Sequence, residues 1–288
     1  MRATSPDALL LVDKPAGMSS HDVVALARRA LGTRKVGHGG TLDPFATGLL
    51  IIMAGRGTRL LQYVPAEPKV YDATIRFGSE TDTDDGTGTV VLTSEVRPSI
   101  AEIAAAIPAL TGTLQQVPPD YSAKHVGGER AYAVARRGER PALAAATVQV
   151  DRWEILEHRD GILRARIACG TGTYIRSLAR DLGRALGSAA HLEELRRVSV
   201  GPFDVADADD IDALRDGAVR RRSLLSALGA MPRDVLGDVD VQRVRHGMSV
   251  PATVPGGRGA LLDAEGALVA VASRERDCWH PDVVLSTA

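Results

Sequence analysis

Aromatic residues are scarce in this chain: 3 Phe, 2 Trp and 5 Tyr among 288 residues. A core built from it must rest on Ala, Val, Leu and Ile, so each Tyr becomes a candidate for a specific task. Cysteine is rarer, and Cys169 and Cys278 cannot supply a disulfide scaffold. A reducing cytoplasm is therefore the expected compartment. The longest apolar run, residues 49–54, is far short of the roughly 20 residues a membrane helix needs. No apolar stretch follows Met1 in the manner of a secretory signal, and no membrane partner is expected. The motifs Cys-x-x-Cys, His-Glu-x-x-His, Gly-x-x-x-x-Gly-Lys-[Ser/Thr] and Gly-x-Ser-x-Gly are all absent. Asp82-Thr-Asp-Asp-Gly86 opens like a calcium loop, but Thr93 stands where the closing glutamate is required. No metal and no cofactor is expected.

What remains is an ordinary globular composition, 44% hydrophobic and 25% charged, with a net charge of −1. The near-neutrality hides alternating blocks: +4 over residues 1–60, −5 over 61–110, +4 over 111–200 and −4 over 201–288. Folding can gather the basic blocks on one face for a polyanion. Arg outnumbers Lys by 31 to 4, which draws attention to Lys14, Lys35, Lys69 and Lys124.

Apolar runs and alternation predict strands over residues 8–12, 49–53, 70–77, 148–156 and 162–168, the last two paired around Asp160-Gly161. Helices are expected over 21–31, capped by Ser19 or Ser20 and stopped by Gly32, and over 100–110, 173–186 and 211–228. Residues 36–44 read as a loop, with three glycines in five positions. Residues 117–146 read as a Pro- and Arg-rich insertion with a short helix. The class is α+β, with a boundary near 231–240. It divides a large domain, 1–232, from a small β domain, 235–288.

Two clusters could carry chemistry. Gly37-His-Gly-Gly-Thr-Leu-Asp-Pro44 sets Asp43 in a loop whose glycines admit a close ligand and whose proline fixes the chain beyond the acid. Cys169-Gly-Thr-Gly-Thr-Tyr-Ile-Arg176 leads a glycine-flanked loop into a helix. An Arg in that first turn opposes the helix dipole, which a buried carboxylate partner would offset; a solvated Arg176 on a surface helix is the ordinary alternative.

With these pieces in order, the chain resembles the TruB family of bacterial tRNA pseudouridine-55 synthases over about residues 9–205. The resemblance rests on Leu11-Val-Asp-Lys-Pro-Ala-Gly-Met-Ser-Ser20, the segment from Lys35 through Asp43 to Gly48, and Lys69-Val-Tyr71 with Gly78 and Thr81–Asp85. It also rests on Tyr121-Ser-Ala123 with Arg130-Ala-Tyr132, Gly172-Thr-Tyr-Ile-Arg176 with Asp181-Leu-Gly183, and Leu195-Arg-Arg197. The chain departs from the family at Gly39, where Thr is usual, and at His125 and Thr171, where Lys is usual.

The resemblance implies a pseudouridine-synthase fold with a mixed, mainly antiparallel central sheet, followed by a small PUA-like domain. It implies isomerisation of uridine 55 in the tRNA T-loop, by base flipping and an Asp nucleophile, without guide RNA. Asp43 is the implied catalytic acid, with Arg176 and Tyr174 in support. His38, Tyr71, Tyr174, Leu195 and Asp85 are the implied substrate-binding residues. Arg130, Arg136, Arg137 and Arg140 would grip RNA backbone. The implied partner is the tRNA T-arm stem-loop, for a monomer with no obligate protein partner. Three other readings stand beside this one. A non-catalytic tRNA-folding protein has no use for Asp43. A guide-dependent synthase expects docking extensions. A small-molecule hydrolase using Asp43 and His38 leaves the arginine-rich insertion unexplained.

Overall fold

The first predicted strand forms β1 (Ala8–Lys14) in the computed structural model, which describes residues 6–285 apart from 123, 127 and 140. Ser19 caps α1 (Ser20–Leu31) by accepting from the Asp22 amide, Asp22 returns the bond, and Gly32 closes the helix at φ 62°. Then come β2 (Val36–His38), β3 (Thr47–Ala54), β4 (Lys69–Phe77), a side hairpin of β5 (Ser79–Thr81) and β6 (Val90–Thr93), α2 (Ile100–Ala106) and β7 (Gly112–Gln116). The insertion carries β8 (His125–Val126), β9 (Glu129–Arg130) and α3 (Ala131–Arg136). Next are β10 (Ala146–Arg159), β11 (Ile162–Cys169), α4 (Ile175–Ala185), β12 (Ala190–Val200), β13 (Phe203–Asp204) and α5 (Ile211–Arg215). The chain ends in β14 (Arg233–Val235), α6 (Asp238–Arg245), β15 (Val250–Pro251), β16 (Arg258–Leu262), β17 (Leu268–Glu275) and β18 (Cys278–Val284).

The central sheet has the order β1-β3-β12-β4-β11-β10-β7, with β2 added beside β3 and β13 beside β12. Its pairings are antiparallel except β12 with β3, so the α+β class and the mixed, mainly antiparallel sheet hold. Burial follows the side-chain period of two. On β1 and β3 both faces are covered. Leu10, Val12, Leu50 and Ile52 pack toward α1, while Leu9, Leu11, Leu49, Ile51 and Met53 pack toward the C-terminal sheet. Those strands therefore read as continuous apolar runs. On β4, Tyr71, Ala73, Ile75 and Phe77 face α4, with Leu178, Ala179 and Leu182 opposite.

The helices expected over 211–228 are the five-residue α5 and a 3-10 turn at Leu224–Leu228. Between them Gly217 takes φ 71°, and Arg222 exchanges backbone hydrogen bonds with Leu9, covering the open edge of β1. Residues 36–38, expected as loop, form a strand. The long β12 was not read from the sequence.

The C-terminal sheet, ordered β14-β16-β17-β18-β15, begins at Arg233 and also holds a helix, α6. Its interior centres on Asp234, which accepts from Trp279 Nε1 (2.7 Å), the Thr253 amide (2.8 Å) and the Thr253 hydroxyl (2.5 Å). Its other face is shared with the first domain, since Ala260, Leu262, Val271, Val283 and Leu285 join the cluster of Leu9, Leu49 and Met53. Arg56 and Arg59 bond the carbonyls of Leu285 and Val284, and Arg258 lies over the Tyr63 ring. A chain ending at Met231 should consequently lose several kcal/mol, at about 1.5–3 kcal/mol per uncovered aliphatic side chain. Thermal unfolding followed by circular dichroism checks this; a truncated chain melting within a few degrees of the full one contradicts it.

Candidate active site

The acid loop is built by a strand-pairing change. β2 pairs with the end of β3 (Val36↔Ala54), and β12 pairs in parallel with its start (Arg197↔Gly48). Residues 39–46 bridge that gap, with Asp43 in the middle. Four groups then pin the loop. Ser20, at the start of α1, accepts from the Leu42 amide (2.9 Å) and donates to the Leu42 carbonyl (3.2 Å). Lys14 Nζ donates to the carbonyls of Met18 (2.7 Å), Pro15 (2.9 Å) and Pro44 (3.3 Å). Arg197 donates to the carbonyls of Gly40 (3.1 Å), Thr41 (3.3 Å) and Leu49 (2.8 Å). Arg176 takes the carboxylate itself, Nε to Oδ2 at 3.0 Å.

Arg176 is 4% exposed, and its fork reaches several partners. Nη1 donates to the Thr83 carbonyl (2.8 Å) and stands 3.6 Å from Asp85 Oδ2, while Nη2 donates to the Tyr121 carbonyl (2.9 Å). Asp85 accepts from Thr83 Oγ1 (2.8 Å), the Thr87 amide (3.0 Å) and Thr87 Oγ1 (2.5 Å). This carboxylate lines the cleft and braces Arg176. Further along α4, Arg180 pairs with Asp84 (2.7 Å) and Arg184 with Glu80 (2.6 Å). The helix is thus fastened to the segment 80–85 by three successive guanidinium–carboxylate pairs.

A cleft of about 870 Å³ opens over this arrangement. Asp43, Tyr71, Asp85, Tyr174, Arg176 and Leu195 all line it, as do Arg130 and Arg136 from the insertion. Burial raises the Tyr71 and Tyr174 phenols above their ordinary pKa, so both stay protonated at neutral pH. Gln116 clamps Tyr174 from both sides of its backbone, accepting from its amide (2.8 Å) and donating to its carbonyl (3.1 Å). His38 does not line the cleft. It packs edge-on against His21, with centroids 5.5 Å apart, and His21 is the ring that does. Burial, with His21 and Arg197 nearby, lowers the His38 pKa, so the ring is neutral at pH 7. Arg137 is held by Glu129 (2.7 Å) and Glu139 (3.0 Å), away from the cleft lining. Arg140 lies outside the described residues.

Sequence reading passed over Lys14, Ser20, Gln116 and Arg197 as functional groups. Only the scarcity of lysine pointed to the first. Burial lowers Lys14 to about pKa 8, with Asp43 acting in the opposite direction. The folded chain therefore gives up this proton before the unfolded chain, whose lysine titrates near 10.5. Stability should rise with pH across that window, because the unfolded state holds more protons there. Lys14→Met should flatten the rise, and should lower turnover about tenfold by freeing Pro44 while RNA binding stays intact. Chemical denaturation at pH 7.5 and 9.5, with single-turnover assays, checks both.

A family model described as "TruB family pseudouridylate synthase (N terminal domain)" matches residues 28–175, and one described as "tRNA pseudouridylate synthase B C-terminal domain" matches 176–236. The chain is 46% identical over 270 residues to a tRNA pseudouridine synthase B of Nocardia farcinica, covering 91% of this chain and 88% of that one. It is 42% identical to the protein of that name from Thermobifida fusca, covering 97% and 99%, and 43% identical to that of Mycobacterium tuberculosis, covering 100% and 98%. Among solved structures it is similar to a chain of an H/ACA RNP bound to a substrate RNA containing 2'-deoxyuridine. There the TM-score is 0.72 at 23% identity, over 98% of this chain and 86% of that one. A chain in a Cbf5-Nop10-Gar1 complex gives 0.71 at 26%, over 96% and 84%.

Proposed function

The chain belongs to the TruB family of pseudouridylate synthases, and on that premise we propose that it isomerises uridine 55 in the T-loop of tRNA, without a guide RNA. The enzyme class is that of its relatives, an isomerase forming pseudouridine in tRNA. The observation that carries the finer reading is Asp43, a half-exposed carboxylate on a loop pinned at Gly40, Thr41, Leu42 and Pro44 and paired with a buried guanidinium. A protein that merely bound a polyanion would gain nothing from a carboxylate presented to it.

In the proposed reaction the N1–C1′ bond breaks, the base turns, and a C5–C1′ bond forms. C5 loses its proton and N1 gains one, so nothing is consumed. The target base must first leave the stack. Tyr71 supplies a face to stack on, Leu195 the apolar wall, and Tyr174 a protonated phenol near the base. Asp43 is the nucleophile, with C1′ of the ribose and C6 of the base as the positions open to it. Arg176 keeps it ionised and aimed. Arg130 and Arg136, at the mouth, hold backbone phosphate, a salt-sensitive term. The C-terminal unit is proposed as an accessory RNA-binding domain of PUA-like type. Within it, Arg274 is bonded to the Val254 carbonyl and Arg258 lies over the Tyr63 ring.

The test is incubation with an unmodified T-arm stem-loop, with no guide RNA and no metal or cofactor added, followed by pseudouridine mapping. Conversion is expected at the uridine equivalent to 55. A folded enzyme that leaves this uridine untouched overturns the proposal.

A further inference from the structure

Two buried cations of the cleft form no ion pair with Asp43. Lys69, at the start of β4, is 9% exposed, and Arg197 on β12 is 1% exposed; both line the cleft. Among the described residues neither has a carboxylate within 4.0 Å. Asp43 and Asp85 belong to Arg176, and Glu67, across the loop, accepts from the Thr171 amide (2.6 Å). Arg197 donates to the carbonyls of Gly40, Thr41 and Leu49 and lies against the Tyr71 phenol. Lys69 donates to Thr171 Oγ1 (2.9 Å), which leaves two of its three N–H donors without a partner among the described residues. Burying a charge without an opposite one is expensive, and two such charges side by side also repel. Consistent with this, burial and Arg197 together lower the Lys69 pKa.

Gly40 shows where the two converge. At φ 115° it presents no side chain, and a Cβ built there would lie 3.6 Å from Arg197 Nη1 and 3.9 Å from Lys69 Cε. One point at Gly40 therefore lies beside both side chains, at the Arg197 guanidinium and at Lys69 Cε. It stays open because residue 40 is glycine, three positions before the catalytic acid.

We propose that Lys69 and Arg197 form a phosphodiester subsite beside the acid loop, seating the backbone of the substrate strand next to the nucleotide being isomerised. The inference rests on the RNA-modifying reading above and adds the group that the cleft floor binds. A mono-anion here compensates both cations at once, which a uracil carbonyl cannot do. Arg197, already tied to Gly40 and Thr41, would couple phosphate seating to the position of Asp43. Lys69 carries the exchangeable contact.

The experiment measures stem-loop binding against salt in the Asp43→Asn background, where no turnover intervenes. Lys69→Met should weaken binding about tenfold and reduce the slope of log affinity on log salt by about 0.7, the value for one phosphate contact on a single strand. Lys69→Arg should keep the slope. Stem-loops with one methylphosphonate at each linkage flanking the target uridine provide an arm that needs no lysine variant. One of them should weaken binding to the Asp43→Asn protein and add nothing further with Lys69→Met. An unchanged slope in a folded Lys69→Met protein, or no sensitive linkage in the methylphosphonate series, overturns the subsite. Failure of the underlying reading shows differently, as a wild-type protein that makes no pseudouridine in the stem-loop.

Discussion

Asp43→Asn should abolish pseudouridine formation, by on the order of 10⁴-fold or more, while stem-loop affinity stays equal or rises. The substitution keeps the size of the side chain and one acceptor oxygen. The loop should hold, because its pins are made to backbone: Ser20 to Leu42, Lys14 to Pro44, Arg197 to Gly40 and Thr41. What is lost is the negative charge facing Arg176 and the capacity to attack carbon. Losing a carboxylate from a surface that binds a polyanion removes repulsion, hence the expectation for affinity. Single-turnover assays with excess enzyme, alongside filter binding, separate the two effects. Turnover within tenfold of wild type would exclude Asp43 as the nucleophile. Turnover and affinity lost together would point instead to a collapsed loop, and the melting temperature would reveal it.

Much of this site could be read before the structure, for a physical reason. Asp43, Tyr174 and Arg176 lie beside glycine clusters, Tyr71 and Leu195 stand in the motifs that carry the family resemblance, and all five line one cleft. The residues that hold them were not legible. Lys14, Gln116 and Arg197 act on backbone atoms of segments 30 to 157 positions away in the chain. No local pattern encodes such a pairing. β12 was hidden for a related reason. Its core, Glu193-Glu-Leu-Arg-Arg197, places charges on both faces of the strand, and a register shift at Leu192/Glu194 disturbs the period. Buried strands are recognised by apolar residues, yet this one sits between β3 and β4 and buries an arginine. His38, which the resemblance implies as a substrate-binding residue, packs edge-on against His21, and His21 lines the cleft. The helices expected over 211–228 are short and separated, because the chain between them covers the β1 edge through Arg222.

The second large effect is expected at Arg176. Arg176→Lys should cut turnover about 100-fold and change stem-loop affinity by less than threefold. The guanidinium makes four different contacts at once, through Nε to Asp43, through Nη1 to the Thr83 carbonyl and toward Asp85, and through Nη2 to the Tyr121 carbonyl. An ammonium keeps the charge, but as a compact point it cannot span these directions. It would remain with the carbonyls or approach Asp43, and in either case the acid loses its planar support. Binding should tolerate the change because the charge is retained and the phosphate-facing arginines lie elsewhere. Removing the charge is a different experiment. Arg176→Met leaves Asp85 buried without a cation and two carbonyls without donors, and should destabilise the fold by about 3–5 kcal/mol. Stability thus separates the two variants, with Lys near wild type and Met far below it. Combining Arg176→Lys with Asp43→Asn provides the decisive control. If the arginine acts through the carboxylate, the double variant should be no slower than Asp43→Asn alone. Multiplied losses would mean that Arg176 acts on the RNA directly.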